Sequence, residues 1–185
     1  SVVQNKRNAS LSDFHKKILS RLEANDVLMT FNYDLVIEES FADANLWNPV
    51  TGYGETFFGK RNEWCRKWLK QRNIMGNAKV PKSHVSLLKL HGSINWKKLN
   101  NGRLSLNDRP YLARPKKKDK ATILPPGWNK QVGKNPYRRF WEKAYKAIVG
   151  CKTLIVVGYS LPVTDFLAQA LFNEAVRQKE VSSNT

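Results

Sequence analysis

Three short, largely apolar runs, each closed by polar or glycine residues, constrain this chain more than any other feature. Residues 27–31 end in Asn32-Tyr33-Asp34, residues 87–90 in His91-Gly92-Ser93, and residues 153–157 in Gly158-Tyr159-Ser160. Runs of this length suit strands, and stripes at helical spacing separate them. Leu11, Phe14, Ile18, Leu19 and Leu22 recur behind Ser10 and Ser12, either of which can cap a helix. Trp64, Trp68 and Leu69 share a side of residues 62–75, with Gly76 beyond. Pro136 opens a stripe of Tyr137, Phe140, Trp141, Ala144 and Ile148 that Gly150 stops. A last stripe over 165–178 places Phe166, Leu167, Ala170, Leu171 and Ala175 on one face, with Thr164 as cap. Strands alternating with helices predict an α/β fold, and open sheets of that kind hold ligands outside the carboxyl ends of their strands. The β-branched residues of 153–157 predict a buried strand there, and residues 181–185 are expected to fray.

The length of 185 residues and hydrophobic content of 41% suit one domain spanning 1–185. Cys65 and Cys151 stand apart without metal-ligand spacing and read as reduced thiols, so no metal is expected. The apolar stretches are far too short to span a bilayer, and no basic-then-apolar leader opens the chain. A cytoplasmic protein with no membrane partner is the expectation. Charge is unevenly placed: residues 60–139 carry 22 Lys/Arg against 3 Asp/Glu, within a chain of net charge +17. Such a field suits a nucleic-acid backbone, an acidic partner subunit or plain solvation. No reading helix, zinc finger or paired aromatic motif decides between them.

Two segments lack long apolar patterns. Residues 40–59 carry Pro49, Gly52, Gly54 and Gly59 among aromatics and read as irregular structure beside the sheet. Residues 97–134, with Lys116-Lys117-Lys118 and Pro125-Pro126, read as a basic insertion or lid at the rim.

The residues closing the strands carry the candidate chemistry. The Asn32 carboxamide can hold a ribose hydroxyl or a water, or it can turn the backbone after a strand. Asp34 can accept from a sugar hydroxyl or a carboxamide, or cap the helix begun by Leu35, Val36 and Ile37. Glu38, one turn on, either supports that carboxylate's surroundings or lies on a solvated face. His91 is the general-base candidate, because imidazole titrates near neutrality; a structural role is its alternative. Gly92 permits close approach, Ser93 adds a hydroxyl, and Asn95 with Trp96 can floor a cleft. Gly158 and Ser160 can present backbone donors and a hydroxyl to a ribose or phosphate, while Asp165 reads as a helix cap or start.

The strings from Thr30 through Asn32-Tyr33-Asp34 to Glu38, from Lys89 through His91-Gly92-Ser93 to Trp96, and from Val156 through Gly158-Tyr159-Ser160 to Asp165 resemble the bacterial sirtuin-like family. The similarity is to its zinc-free branch, found in defence-associated NAD hydrolases. The resemblance implies a Rossmann-like parallel sheet and NAD as substrate. It also implies catalytic roles for Asn32 and His91, a nicotinamide-end role for Asp34, and adenosine-side contact by the turn from Gly158 to Ser160. With Gly92 and Ser93 these form the expected site, without metal.

Two departures qualify it. The absence of a cysteine quartet weakens a deacetylase reading without weakening NAD hydrolysis. No Gly-x-Gly-x-x-Gly or Gly-x-x-x-x-Gly-Lys-Ser/Thr loop is present to cradle a pyrophosphate. Residues 1–185 are therefore expected to form the later portion of a sirtuin-like domain, with the phosphate-binding segment elsewhere. Hydrolysis of NAD at the nicotinamide–ribose bond in regulated antiviral defence is the leading expectation. A nonenzymatic NAD- or nucleotide-sensing module and a protein deacetylase are the alternatives. Expected partners are other copies of the chain or a sensor subunit, with nucleic acid on the basic surface.

Overall fold

The computed structural model describes residues 17–18, 20–43, 46–54, 57, 65–66, 69–70, 73, 82–101, 103–106, 122–124 and 137–183. At its centre, β1 (Val27–Thr30) and β2 (Ser86–Lys89) pair in parallel, Val27 with Ser86 through Thr30 with Lys89. A parallel pair needs a long crossover, and here it contains α1 (Val36–Asp43) and a turn-rich stretch over 46–54. That stretch is anchored by Trp47 and Tyr53, both buried. Gly52 is required beneath Trp47, because a Cβ there would lie 2.0 Å from the indole nitrogen.

Beyond β2 the chain turns through β3 (Gly92–Ser93) into a hairpin of β4 (Trp96–Lys98) and β5 (Leu104–Leu106). β6 (Thr122–Ile123) then returns to pair antiparallel with β3. The described parts of the basic segment 97–134 are thus strands beside the core; Lys116-Lys117-Lys118 lie outside the described residues. So do most residues of the helices expected over 11–22 and 62–75.

Helix α2 (Tyr137–Gly150) buries Phe140, Trp141, Ala144 and Ile148, as its stripe predicts, and packs on β2. Helix α3 (Phe166–Ser183) packs on α2, and its Ala168, Leu171 and Ala175 are buried in the same core cluster as Ala144. The α3 face is rotated from the expected one: Phe166 and Ala170 are exposed, while Ala168 is buried. The helix also runs on to Ser183 where fraying was expected, since no glycine or proline interrupts it.

The expected third strand departs from the sequence reading. Residues 153–157 form no strand ladder with the described residues, and Leu154, Ile155, Val156 and Val157 are 43–78% exposed. Their composition suits a strand covered on both faces, yet neither face is covered by described residues. Among the described residues no helix is long and apolar enough to cross a membrane.

Candidate active site

The site grows out of the parallel register. Thr30 pairs with Lys89, and the Leu90 amide continues the ladder by donating to the Thr30 carbonyl at 3.0 Å. Asn32 and His91 each lie two residues beyond that last pair, so the two motifs emerge side by side at one carboxyl end. The backbones are then stitched together. The Tyr33 carbonyl accepts from the Ile94 amide at 3.0 Å and from the Ser93 hydroxyl at 3.4 Å. On the other flank, the Leu124 amide donates to the His91 carbonyl at 2.8 Å.

Each expected site residue has a distinct setting. Asn32 is exposed just beyond the end of β1, with its backbone amide donating to Thr30 Oγ1 at 3.1 Å. Asp34 caps α1: its Oδ1 accepts from the Val36 amide at 3.1 Å, leaving the half-buried carboxylate a second oxygen. Gly92 has φ +79°, and a Cβ there would stand 2.1 Å from the Thr122 carbonyl oxygen. Close strand approach is therefore its demonstrated need. Ser93 is wholly buried with its hydroxyl on Tyr33, so it joins the two motif loops instead of facing solvent. Gly158 and Ser160 are exposed, and Gly158 and Leu161 both adopt positive φ, turning the chain sharply around Tyr159 and Ser160.

His91 is 5% exposed. Phe31 lies edge-on to its ring at 5.0 Å between centroids, and Trp141 stands at 6.5 Å. The Trp141 indole N–H donates to the Leu90 carbonyl at 3.1 Å, fixing α2 against the end of β2. Tyr159 stacks on Phe31 at 4.1 Å, bringing the third motif to the same rim. His91 Nε2 lies 3.1 Å from Asp165 Oδ2, and the Tyr159 hydroxyl donates to that same oxygen at 2.7 Å. Burial pushes the Tyr159 hydroxyl well above its ordinary pKa, and its bond to the Asp165 carboxylate adds to the rise. It therefore remains a donor.

Below the rim lies a second polar layer. Lys89 and Glu38, both essentially buried, form an ion pair at 2.7 Å, and the Lys89 ammonium also donates to the Asp34 carbonyl. The Tyr53 hydroxyl donates to Glu38 Oε1 at 3.1 Å and Asn95 Nδ2 donates to Tyr53 at 3.3 Å. Burial raises the Glu38 pKa and lowers that of Lys89, while their mutual attraction opposes both shifts. Of the two sequence readings of Glu38, the structure selects support for the Asp34 loop, acting through Lys89. Asn95 joins this layer, so it braces the site from beneath.

Sequence reasoning undervalues Asp165 and Lys89. Asp165 reads locally as a helix start, and only the tertiary fold shows its carboxylate turned toward His91. Lys89 interrupts an apolar strand and precedes His91 by two residues; a cation in a strand buried on that side demands a buried anion, and that demand is the signal that points to it. A separate cavity of about 450 Å³ lies at the opposite, amino ends of β1 and β2, lined in part by Val27, Ser86, Lys82, Lys143 and Lys146. Among the described residues no group of three or more His, Cys, Asp or Glu could hold a metal ion.

Parallel strands delivering Asn32 and His91 to one carboxyl rim, under helical cover, define an α/β domain, a class whose open sheets hold ligands at the strand ends. The family model of the SIR2-like domain matches residues 26–183, and the chain belongs to that family. SIR2-like domains have a Rossmann-like fold and use NAD. Comparison with curated proteins gives no match.

Proposed function

We propose that this domain hydrolyses NAD at the bond between nicotinamide and ribose. The observation that carries the reading is the side-by-side emergence of Asn32 and His91 at the end of the β1–β2 ladder. The polar groups fit the ribose and nicotinamide end: the carboxamide of an exposed Asn, a carboxylate with one oxygen beyond its capping bond, and an imidazole set among aromatic rings. In the reaction the C1′–N bond breaks with its electron pair going to nicotinamide, which leaves neutral. A water oxygen bonds to C1′ and loses its proton, giving ADP-ribose. Asn32 orients the ribose or the water, and His91 accepts the proton directly or through a ribose hydroxyl. Asp34 meets the nicotinamide end, and Gly158 and Ser160 meet the adenosine side.

The pyrophosphate needs a further contributor, since neither Gly-x-Gly-x-x-Gly nor Gly-x-x-x-x-Gly-Lys-Ser/Thr occurs in the sequence. The uncovered run 153–157 offers a place for one, a strand and phosphate-cradling loop supplied within the intact protein or its assembly. Regulation through other copies or a sensor subunit in antiviral defence, with nucleic acid on the basic surface, completes the reading. The same missing loop favours the second reading, a module that binds NAD or a nucleotide and reports occupancy without turnover.

Nicotinamide release from NAD by the intact protein tests the proposal. Replacing His91 by Ala is expected to slow release by about 100-fold or more. Undiminished release by that variant overturns the assignment, and stoichiometric binding without release favours the sensor.

A further inference from the structure

A carboxylate at the start of a helix ordinarily accepts from the first free amides of that helix. The described side-chain contacts of Asp165 are of another kind. Its amide donates to the Pro162 carbonyl at 2.9 Å and its carbonyl accepts from the Gln169 amide at 3.1 Å, so its backbone enters the helix. The carboxylate, on a residue 1% exposed, turns inward to receive Tyr159 and His91 on one oxygen. Burying a carboxylate is costly unless donors meet it, and this one is met by two side chains of the candidate rim. It links all three motifs: His91 directly, Tyr159 directly, and Phe31 through the stack with Tyr159.

We propose that Asp165 is the positioning residue for His91: it takes the Nε2–H, leaves the neutral ring's lone pair on Nδ1, and holds the imidazolium formed when Nδ1 accepts a proton. Tyr159, donating to the same oxygen, moderates that hold. This inference rests on the reading of His91 as proton acceptor. The proton leaves a water or ribose hydroxyl and arrives at Nδ1, the Nε2 proton stays on the ring, and Asp165 stays ionised throughout. Such an arrangement fixes tautomer and ring orientation without the carboxylate touching substrate. In the described contacts the titratable group facing His91 is Asp165, from the start of α3, and Tyr159, from the preceding turn, reaches it through that carboxylate. Phe31 after β1 and Trp141 of α2 bring no charge.

The test is an NMR titration of the His91 imidazole in the intact protein, alongside the pH profile of nicotinamide release. Asp165→Asn should lower the His91 midpoint by about one pH unit or more, through loss of a neighbouring anion. It should also move the acidic limb of the profile the same way. Tyr159→Phe should move both in the opposite direction, because the carboxylate then has one donor fewer. Opposite signs from adjacent substitutions are not expected of a merely structural role. A folded Asp165→Asn protein whose His91 titrates like the parent overturns the inference, as does a Tyr159→Phe protein without the upward movement. The second variant decides the matter if the first does not fold. Should the parent release no nicotinamide while both shifts occur, hydrolysis falls and the positioning contact stands. Turnover without the shifts removes the positioning contact and leaves hydrolysis standing.

Discussion

At the scale of single residues, the two motif loops are held by contacts that differ in what their loss would do. Asp34 serves two candidate roles, and one substitution separates them. Asn caps helices about as well as Asp, so Asp34→Asn should leave the melting temperature nearly unchanged. A role at the nicotinamide end should still lower kcat/KM; an unchanged value would confine Asp34 to capping. Lys89 presents the opposite case. Lys89→Met strands the buried Glu38 carboxylate, and breaking one side of such a pair costs about 3–5 kcal/mol. Adding Glu38→Gln should recover much of that loss in denaturant unfolding, and a double variant no more stable than Lys89→Met would refute the coupling. Gly92→Ala should destabilise by roughly 2 kcal/mol or more, because φ is +79° and the Thr122 carbonyl occupies the Cβ position.

At the scale of elements, legibility follows how local the cause is. The α2 stripe is plain in the sequence because Phe140, Trp141, Ala144 and Ile148 repeat at helical spacing around one side, and that periodicity is a property of the segment. The face of α3 is not, because which of its residues are covered depends on the helix it packs against, and that helix lies outside the segment. Residues 153–157 have every local mark of a buried strand, yet ladder formation depends on a neighbour that local pattern cannot supply. The rim itself is legible, since each apolar run announces its end with Asn32, His91 or Gly158. The contact of Asp165 with His91 is not, because it joins elements distant in sequence. One consequence is testable at this scale. Ala144→Leu should drive α2 and α3 apart at a position with no exposed surface, costing about 1–3 kcal/mol. Since Trp141 of the same helix is bonded to the end of β2, His91 resonances should move as well; a stability loss with unmoved His91 resonances would show that the helix pair and rim are uncoupled.

For the molecule as a whole, tyrosine burial dictates behaviour in alkali. Burial pushes Tyr137 up to about 12 and raises Tyr53 and Tyr159 as well. Groups with raised folded pKa values contribute stability that is complete below the unfolded value, near 10, and lost as pH rises through the folded value. Denaturant midpoints should therefore fall above about pH 10, and less steeply in Tyr137→Phe; equal slopes would dismiss that tyrosine as a contributor. The uncovered run of Leu154, Ile155, Val156 and Val157 has a different consequence, one for handling the protein. An exposed apolar run rich in β-branched residues templates pairing with its own copies, so this chain on its own should lose solubility with concentration and acquire thioflavin-positive β-structure on storage. Ile155, the most exposed of the four, is the place for a gatekeeper: Ile155→Lys should delay that aggregation. An equal lag time for parent and variant would show that the run plays no part in it.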